Sequence, residues 1–129
     1  MTTKQLSGKP KRILVADDDV AIVESTCMVL RENGYQVDSA DDKEAINKME
    51  KSLPDLLLLD IWMSGQDGRE ICKYLKSKEL TRHIPIILIS ASHDIAKSAK
   101  GAGSDDFLAK PYGMYELLEK VAKYLDPVD

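Results

Sequence analysis

Pro54-Asp55-Leu56-Leu57-Leu58-Leu59-Asp60-Ile61-Trp62-Met63 is the stretch whose reading decides the fold. Four leucines lead into one acid, and a loop containing Ser64, Gly65, Gln66, Asp67 and Gly68 follows. A short unbroken apolar run bounded by turn signals describes a strand buried on both faces. Asp60 stands where that strand ends. Open α/β sheets gather their chemistry at the carboxyl ends of the strands. A carboxylate there serves as a helix cap, a metal ligand or a nucleophile.

Similar runs lie on either side. Ile13–Ala16 is buried-strand sequence and ends in Asp17-Asp18-Asp19. Ile84–Ile89, with Pro85 near its start, and Asp106–Ala109 complete the set, and Tyr35–Ser39 alternates weakly, as an edge strand does. Between them, apolar residues recur at helical spacing. The sets are Val20, Val23, Cys27 and Leu30; then Ala45, Ile46, Met49 and Leu53; then Ile71, Cys72 and Leu75. A short helix spans about 94–100, and a last one carries Met114, Leu117, Leu118, Val121 and Leu125. Asn33-Gly34 reads as a left-handed C-cap, Asp41 or Asp42 as an N-cap, and Pro54 and Pro127 as helix stops. Strand and helix alternate five times, which predicts a parallel sheet with helices on both faces.

The chain of 129 residues fits one domain with a full core, 43% of it apolar and 31% charged. Residues 1–10 are polar and read as a flexible tail before a domain over 11–129. A net charge of −4 argues against direct nucleic-acid binding, which needs a basic face. No apolar run approaches the ~20 residues of a membrane span, and the N-terminus lacks the apolar core of a signal peptide. Cys27 and Cys72 fall inside amphipathic patterns and read as reduced core thiols. The expectation is a cytoplasmic protein without membrane insertion.

Adjacent parallel strands would bring Asp17, Asp18, Asp60, Ser90 and Lys110 above one sheet edge. Capping accounts well for Asp19 and competes for Asp18. Asp60 adds a further carboxylate, and like charges at ~4 Å cost kcal/mol unless neutralised. A hard divalent cation answers that need: magnesium, with manganese as the alternative. Zinc is disfavoured, because neither His83 nor His93 has a partner at ligand spacing. Lys110 precedes a proline and is pushed into extended geometry over the strand ends, and Pro111 is a candidate for a cis peptide in a tight turn. The Ser90 hydroxyl can donate to an anion. A metal, an ammonium and a hydroxyl around one carboxylate are the parts needed to place a phosphoryl group on it.

The pattern resembles the receiver domain of two-component response regulators, the chemotaxis-regulator fold. The likeness covers about Lys11 to Leu125. Its motifs are Ile13-Leu-Val-Ala-Asp-Asp-Asp19, Pro54-Asp-Leu-Leu-Leu-Leu-Asp60 with Met63 and Gly68, Ile86-Ile-Leu-Ile-Ser-Ala91, and Gly101-Ala-Gly-Ser-Asp-Asp-Phe-Leu-Ala-Lys-Pro111. Each is weak alone; in order and at these separations they are specific. The resemblance implies a flavodoxin-like, doubly wound (βα)5 three-layer sandwich with strand order 2-1-3-4-5. It implies Asp60 as phosphoacceptor, with magnesium held by Asp17, Asp18, Asp60 and the Trp62 backbone carbonyl. Ser90 and Lys110 would bind the phosphoryl group, and Phe107 would be the switch aromatic, turning inward on phosphorylation. Trp62 and Ser92 would tune the phosphorylated lifetime. The donor would be the phosphohistidine of a sensor histidine kinase or phosphotransfer protein. A downstream protein target would read the face of the fourth helix, fifth strand and fifth helix. The expectation is a stand-alone switch, monomeric or weakly dimeric on phosphorylation, which catalyses its own phosphorylation and dephosphorylation and is not a turnover enzyme.

Two departures stand out: Ser64 replaces the family's usual proline, and Trp62 is large for its position. Among the alternatives, a haloacid-dehalogenase-type phosphatase wants Thr or Val at the fifth position from Asp17, where Ala21 stands. Three aspartates would repel a flavin phosphate. A degenerate receiver, binding partners without phosphorylation, is the remaining competitor and is disfavoured because each expected site residue is present.

Overall fold

The computed structural model describes residues 10–40, 42–63, 65–91 and 95–126, with the backbone alone at 42–46 and 96. The elements are β1 (Arg12–Ala16), α1 (Val20–Glu32), β2 (Gln36–Ala40), α2 (Asp42–Lys51), β3 (Leu56–Asp60), α3 (Gly68–Ser77), β4 (Ile86–Ser90), α4 (Ile95–Ala102), β5 (Asp106–Ala109) and α5 (Met114–Leu125). All five strands pair in parallel, in the order β2-β1-β3-β4-β5. This is the doubly wound, flavodoxin-like sandwich, and it places β3 at the centre of the sheet.

The leucine run shows no alternation because both faces of β3 are covered. Leu57 and Leu59 pack with Met49, Ile71, Cys72, Leu75, Ile95 and Ala99, from α2, α3 and α4. Leu56 and Leu58 pack with Cys27, Leu30, Leu117, Val121 and Leu125, from α1 and α5. All four leucines are fully buried, and each such side chain contributes roughly 1.5–3 kcal/mol.

Several boundaries differ from expectation. The fourth strand begins at Ile86, not Ile84, and Pro85 precedes it while its carbonyl accepts from the Leu57 N–H at 3.0 Å. A proline has no N–H to give a central ladder, so the strand starts after it. The edge strand is displaced by one residue, leaving Tyr35 as a buried anchor whose hydroxyl donates to Asp126 at 2.5 Å. The loop after β3 folds into an antiparallel hairpin, Trp62–Met63 against Gln66–Asp67. The fourth helix runs on to Ala102, past Gly101. Asn33 and Gly34 (φ 94°) end α1. Asp41 and Pro127 lie outside the described residues.

Both edge strands have outward carbonyls closed by side chains. On β2, Arg31 donates to Val37 O (2.9 Å) and Lys48 to Ser39 O (2.7 Å). On β5, Lys120 donates to Phe107 O (2.7 Å), and just before it Tyr124 donates to Asp105 O (2.8 Å). Such charged caps blunt edges that would otherwise template strand addition.

Candidate functional site

The three consecutive aspartates divide their labour. Asp19 accepts from the Ile22 N–H at 3.2 Å and caps α1. Asp17 is buried, and its Oδ1 accepts from the Asp19 N–H at 2.9 Å. Its Oδ2 is fully buried and accepts no hydrogen bond, although Lys110 Nζ lies 3.1 Å away. Asp18 stays exposed at the rim.

Asp60 is buried at the end of β3, where it registers against Ile89 of β4. Its Oδ2 lies 3.1 Å from Lys110 Nζ, and its Oδ1 accepts a long bond from the Trp62 N–H at 3.4 Å. Burial pushes its carboxyl up to about 6, the Asp17 charge adds to the rise, and Lys110 opposes it. For Lys110, burial favours the neutral amine, but its bonds and charge attraction to Asp17 and Asp60 outweigh burial and hold it above the ordinary value. One oxygen from each of Asp17, Asp18 and Asp60 lies within 4.8 Å of the others. The Lys110 ammonium reaches two of these carboxylates, Asp17 and Asp60. With a buried carboxylate oxygen that accepts no hydrogen bond and an all-oxygen donor set, the cluster fits a hard divalent cation.

Lys110 is placed by the end of β5, where its N–H donates to Ser90 O at 2.8 Å and the Lys110–Pro111 peptide bond is cis. Ser90 is buried at the end of β4, paired in register with Ala109. The structure therefore brings Asp17, Asp18, Asp60 and Lys110 together and sets Ser90 on the adjacent strand end. Phe107 is half-buried against the α4 side of the core. Trp62 is 60% exposed, with the Arg69 guanidinium 5.8 Å from its ring centroid. Ser92, Ser64 and His93 lie outside the described residues.

Gly68, read from sequence only as a motif residue, has a steric role in the site, and two side-chain contacts were not singled out from sequence. A Cβ on Gly68 would stand 2.2 Å from the Asp60 carbonyl oxygen, so only glycine lets α3 press against the acceptor's backbone. The signal was present, since Gly68 opens a helix right after the loop. The hydroxyl of Thr26, on α1, lies 2.8 Å from that of Tyr112, and Lys120 contacts Phe107. Neither contact has a sequence signal, because each joins side chains far apart in the chain.

Residues 13–122 match the family model described as the response regulator receiver domain. The phosphate regulon transcriptional regulatory protein PhoB of Escherichia coli (strain K12) is 36% identical over 114 residues, covering 86% of this chain and 50% of that protein. The chain thus spans about half the length of such curated relatives. A CheY-like receiver domain protein from Methanospirillum hungatei JF-1 superposes with TM-score 0.82 at 33% identity, covering 92% of this chain and 95% of that one. The receiver domain of a sensor histidine kinase from Pseudomonas aeruginosa PAO1, solved with magnesium in its active-site cleft, superposes with TM-score 0.81 at 26% identity, covering 90% of this chain and 98% of that one.

Proposed function

The chain belongs to the response regulator receiver domain family, and from that premise we propose that it accepts a phosphoryl group on Asp60 and signals through the change that follows. The observation that carries the reading is the Lys110 ammonium held 3.1 Å from both buried carboxylates, Asp17 and Asp60, at the strand ends. The donor is a phosphohistidine of a sensor kinase or phosphotransfer protein. Its P–N bond breaks as an Asp60 Oδ–P bond forms, and the departing imidazole nitrogen regains a proton.

Asp17, Asp18, Asp60 and the Trp62 backbone carbonyl would hold magnesium, which when bound offsets charge on the phosphoryl oxygens. The chain's own groups do the rest. Lys110 binds a phosphoryl oxygen as a fixed cation, and Ser90 donates to another. Gly68 fixes the backbone from which the Asp60 carboxylate attacks. The Trp62 indole, two residues past the acceptor, limits approach of the water that hydrolyses the acyl phosphate. The protein acts as a switch that catalyses its own phosphorylation and hydrolysis, not as a turnover enzyme, and its partner face is formed by α4, β5 and α5.

Phosphoramidate, a small donor with the same P–N bond, tests this directly. With magnesium it should add one phosphoryl group that hydroxylamine removes, as it does from an acyl phosphate. A hydroxylamine-stable group would place the phosphate on a hydroxyl residue and overturn the assignment.

A further inference from the structure

Phe107 is held by an arrangement that nothing in the phosphoryl chemistry requires. Lys120, on α5, donates to the Phe107 carbonyl at 2.7 Å and to Asp106 Oδ1 at 2.8 Å. The same ammonium lies 4.5 Å from the Phe107 ring centroid, within the ~6 Å reach of a cation–π contact. Asp106 Oδ1 in turn accepts from the Phe107 N–H at 2.9 Å. Tyr124 donates to Asp106 Oδ2 at 3.1 Å, and Lys123 stands 3.7 Å from it. The N–H, the carbonyl and the ring of one residue are thus all tied to a single Lys–Asp pair.

We propose that Lys120 is a positioning residue for Phe107, holding the aromatic ring in its resting place. The inference rests on the proposed reading of Asp60 as acceptor and Phe107 as the aromatic that turns inward in response. A contact made only in the resting state opposes the switch, so its strength sets how readily Asp60 chemistry moves the ring. Edge capping alone would explain the bond to the carbonyl. It does not explain why the ammonium also lies against the ring.

Phe107 is the only phenylalanine in the 129 residues, so protein made with 4-fluorophenylalanine carries one fluorine. Its shift difference between H2O and D2O reads exposure of the ring and is insensitive to the loss of a nearby charge. Wild type, Lys120→Met and Lys120→Arg are compared at rest and during titration with beryllofluoride and magnesium, a reversible phosphoryl mimic. In resting Lys120→Met the ring should move toward the exposure that wild type shows with beryllofluoride. The titration midpoint should fall roughly two- to fivefold, as loss of an exposed cation–π contact implies. Lys120→Arg should restore both.

A Lys120→Met protein that keeps the wild-type exposure and midpoint, even if it unfolds at lower urea, would reduce Lys120 to an edge cap and overturn the proposal. Failure of the Asp60 reading looks different: wild type itself would not respond to beryllofluoride. The resting comparison then still decides the clamp, since changed exposure in Lys120→Met supports it and unchanged exposure refutes it.

Discussion

Lys110 Nζ lies 3.1 Å from Asp17 Oδ2 and 3.1 Å from Asp60 Oδ2. One positive charge therefore faces two buried carboxylates, with Asp18 completing a cluster within 4.8 Å. Carboxylates this close repel one another unless their charge is neutralised. Magnesium should raise the melting temperature, because it binds the native site and not the unfolded chain. Asp18→Asn should raise the melting temperature without magnesium and remove most of the magnesium effect. Calorimetric scans with and without the ion check both, and a variant that still gains the full magnesium increment would refute the shared pocket.

Acid stability should depend on Asp106. Burial alone would raise its carboxyl, but bonds from Lys120, the Phe107 N–H and Tyr124 outweigh burial and hold it below the ordinary 3.8. An acid whose folded value is depressed stabilises above its unfolded value, and that stability is lost as pH falls through the folded value. Asp106→Asn should cost on the order of 1–2 kcal/mol at neutral pH. Its stability should fall less steeply than wild type's below about pH 4. Urea melts at pH 7 and pH 3 that show the same deficit at both would contradict this.

Gly68→Ala tests the close approach of α3 to the acceptor. The added methyl meets a backbone carbonyl at 2.2 Å, which no rotamer relieves, so α3 or the Asp60 backbone must move. A loss of roughly 2–3 kcal/mol is expected, together with slower phosphorylation by acetyl phosphate. Wild-type stability in this variant would show that the contact is easily relaxed.

Trp62 supplies a fourth test and its own probe, since it is the only tryptophan. If its indole limits the attacking water, Trp62→Asn should lose its phosphoryl group several-fold faster than wild type, with acid-quenched time points giving the rate. Equal lifetimes would remove Trp62 from any such role.

The parts of the fold that were legible in sequence are those fixed by local pattern. The leucine run, the Asn33-Gly34 cap and the apolar face of α3 each follow from residues a few positions apart. Asp17, Asp18, Asp60 and Lys110 were readable because parallel topology carries each strand's end to one edge. The start of β4 was misplaced because Ile84 is apolar and buried (2% exposed) without pairing in the ladder, so burial imitated strand. The hairpin at Trp62–Met63 gave no period to detect in arms two residues long. Lys120 sits on a polar helix flank, where its spacing matches any solvated lysine. Only the packing of α5 against the edge of β5 brings it to Phe107.

The central claim is that Asp60 is the acceptor in a magnesium-dependent transfer. Intact mass after incubation with acetyl phosphate, with and without magnesium, beside Asp60→Asn, tests it most directly. The account predicts one added phosphoryl group in wild type with magnesium, little without it, and none in Asp60→Asn. An adduct of the same size on Asp60→Asn would contradict it, because the phosphoryl group would then sit on another side chain.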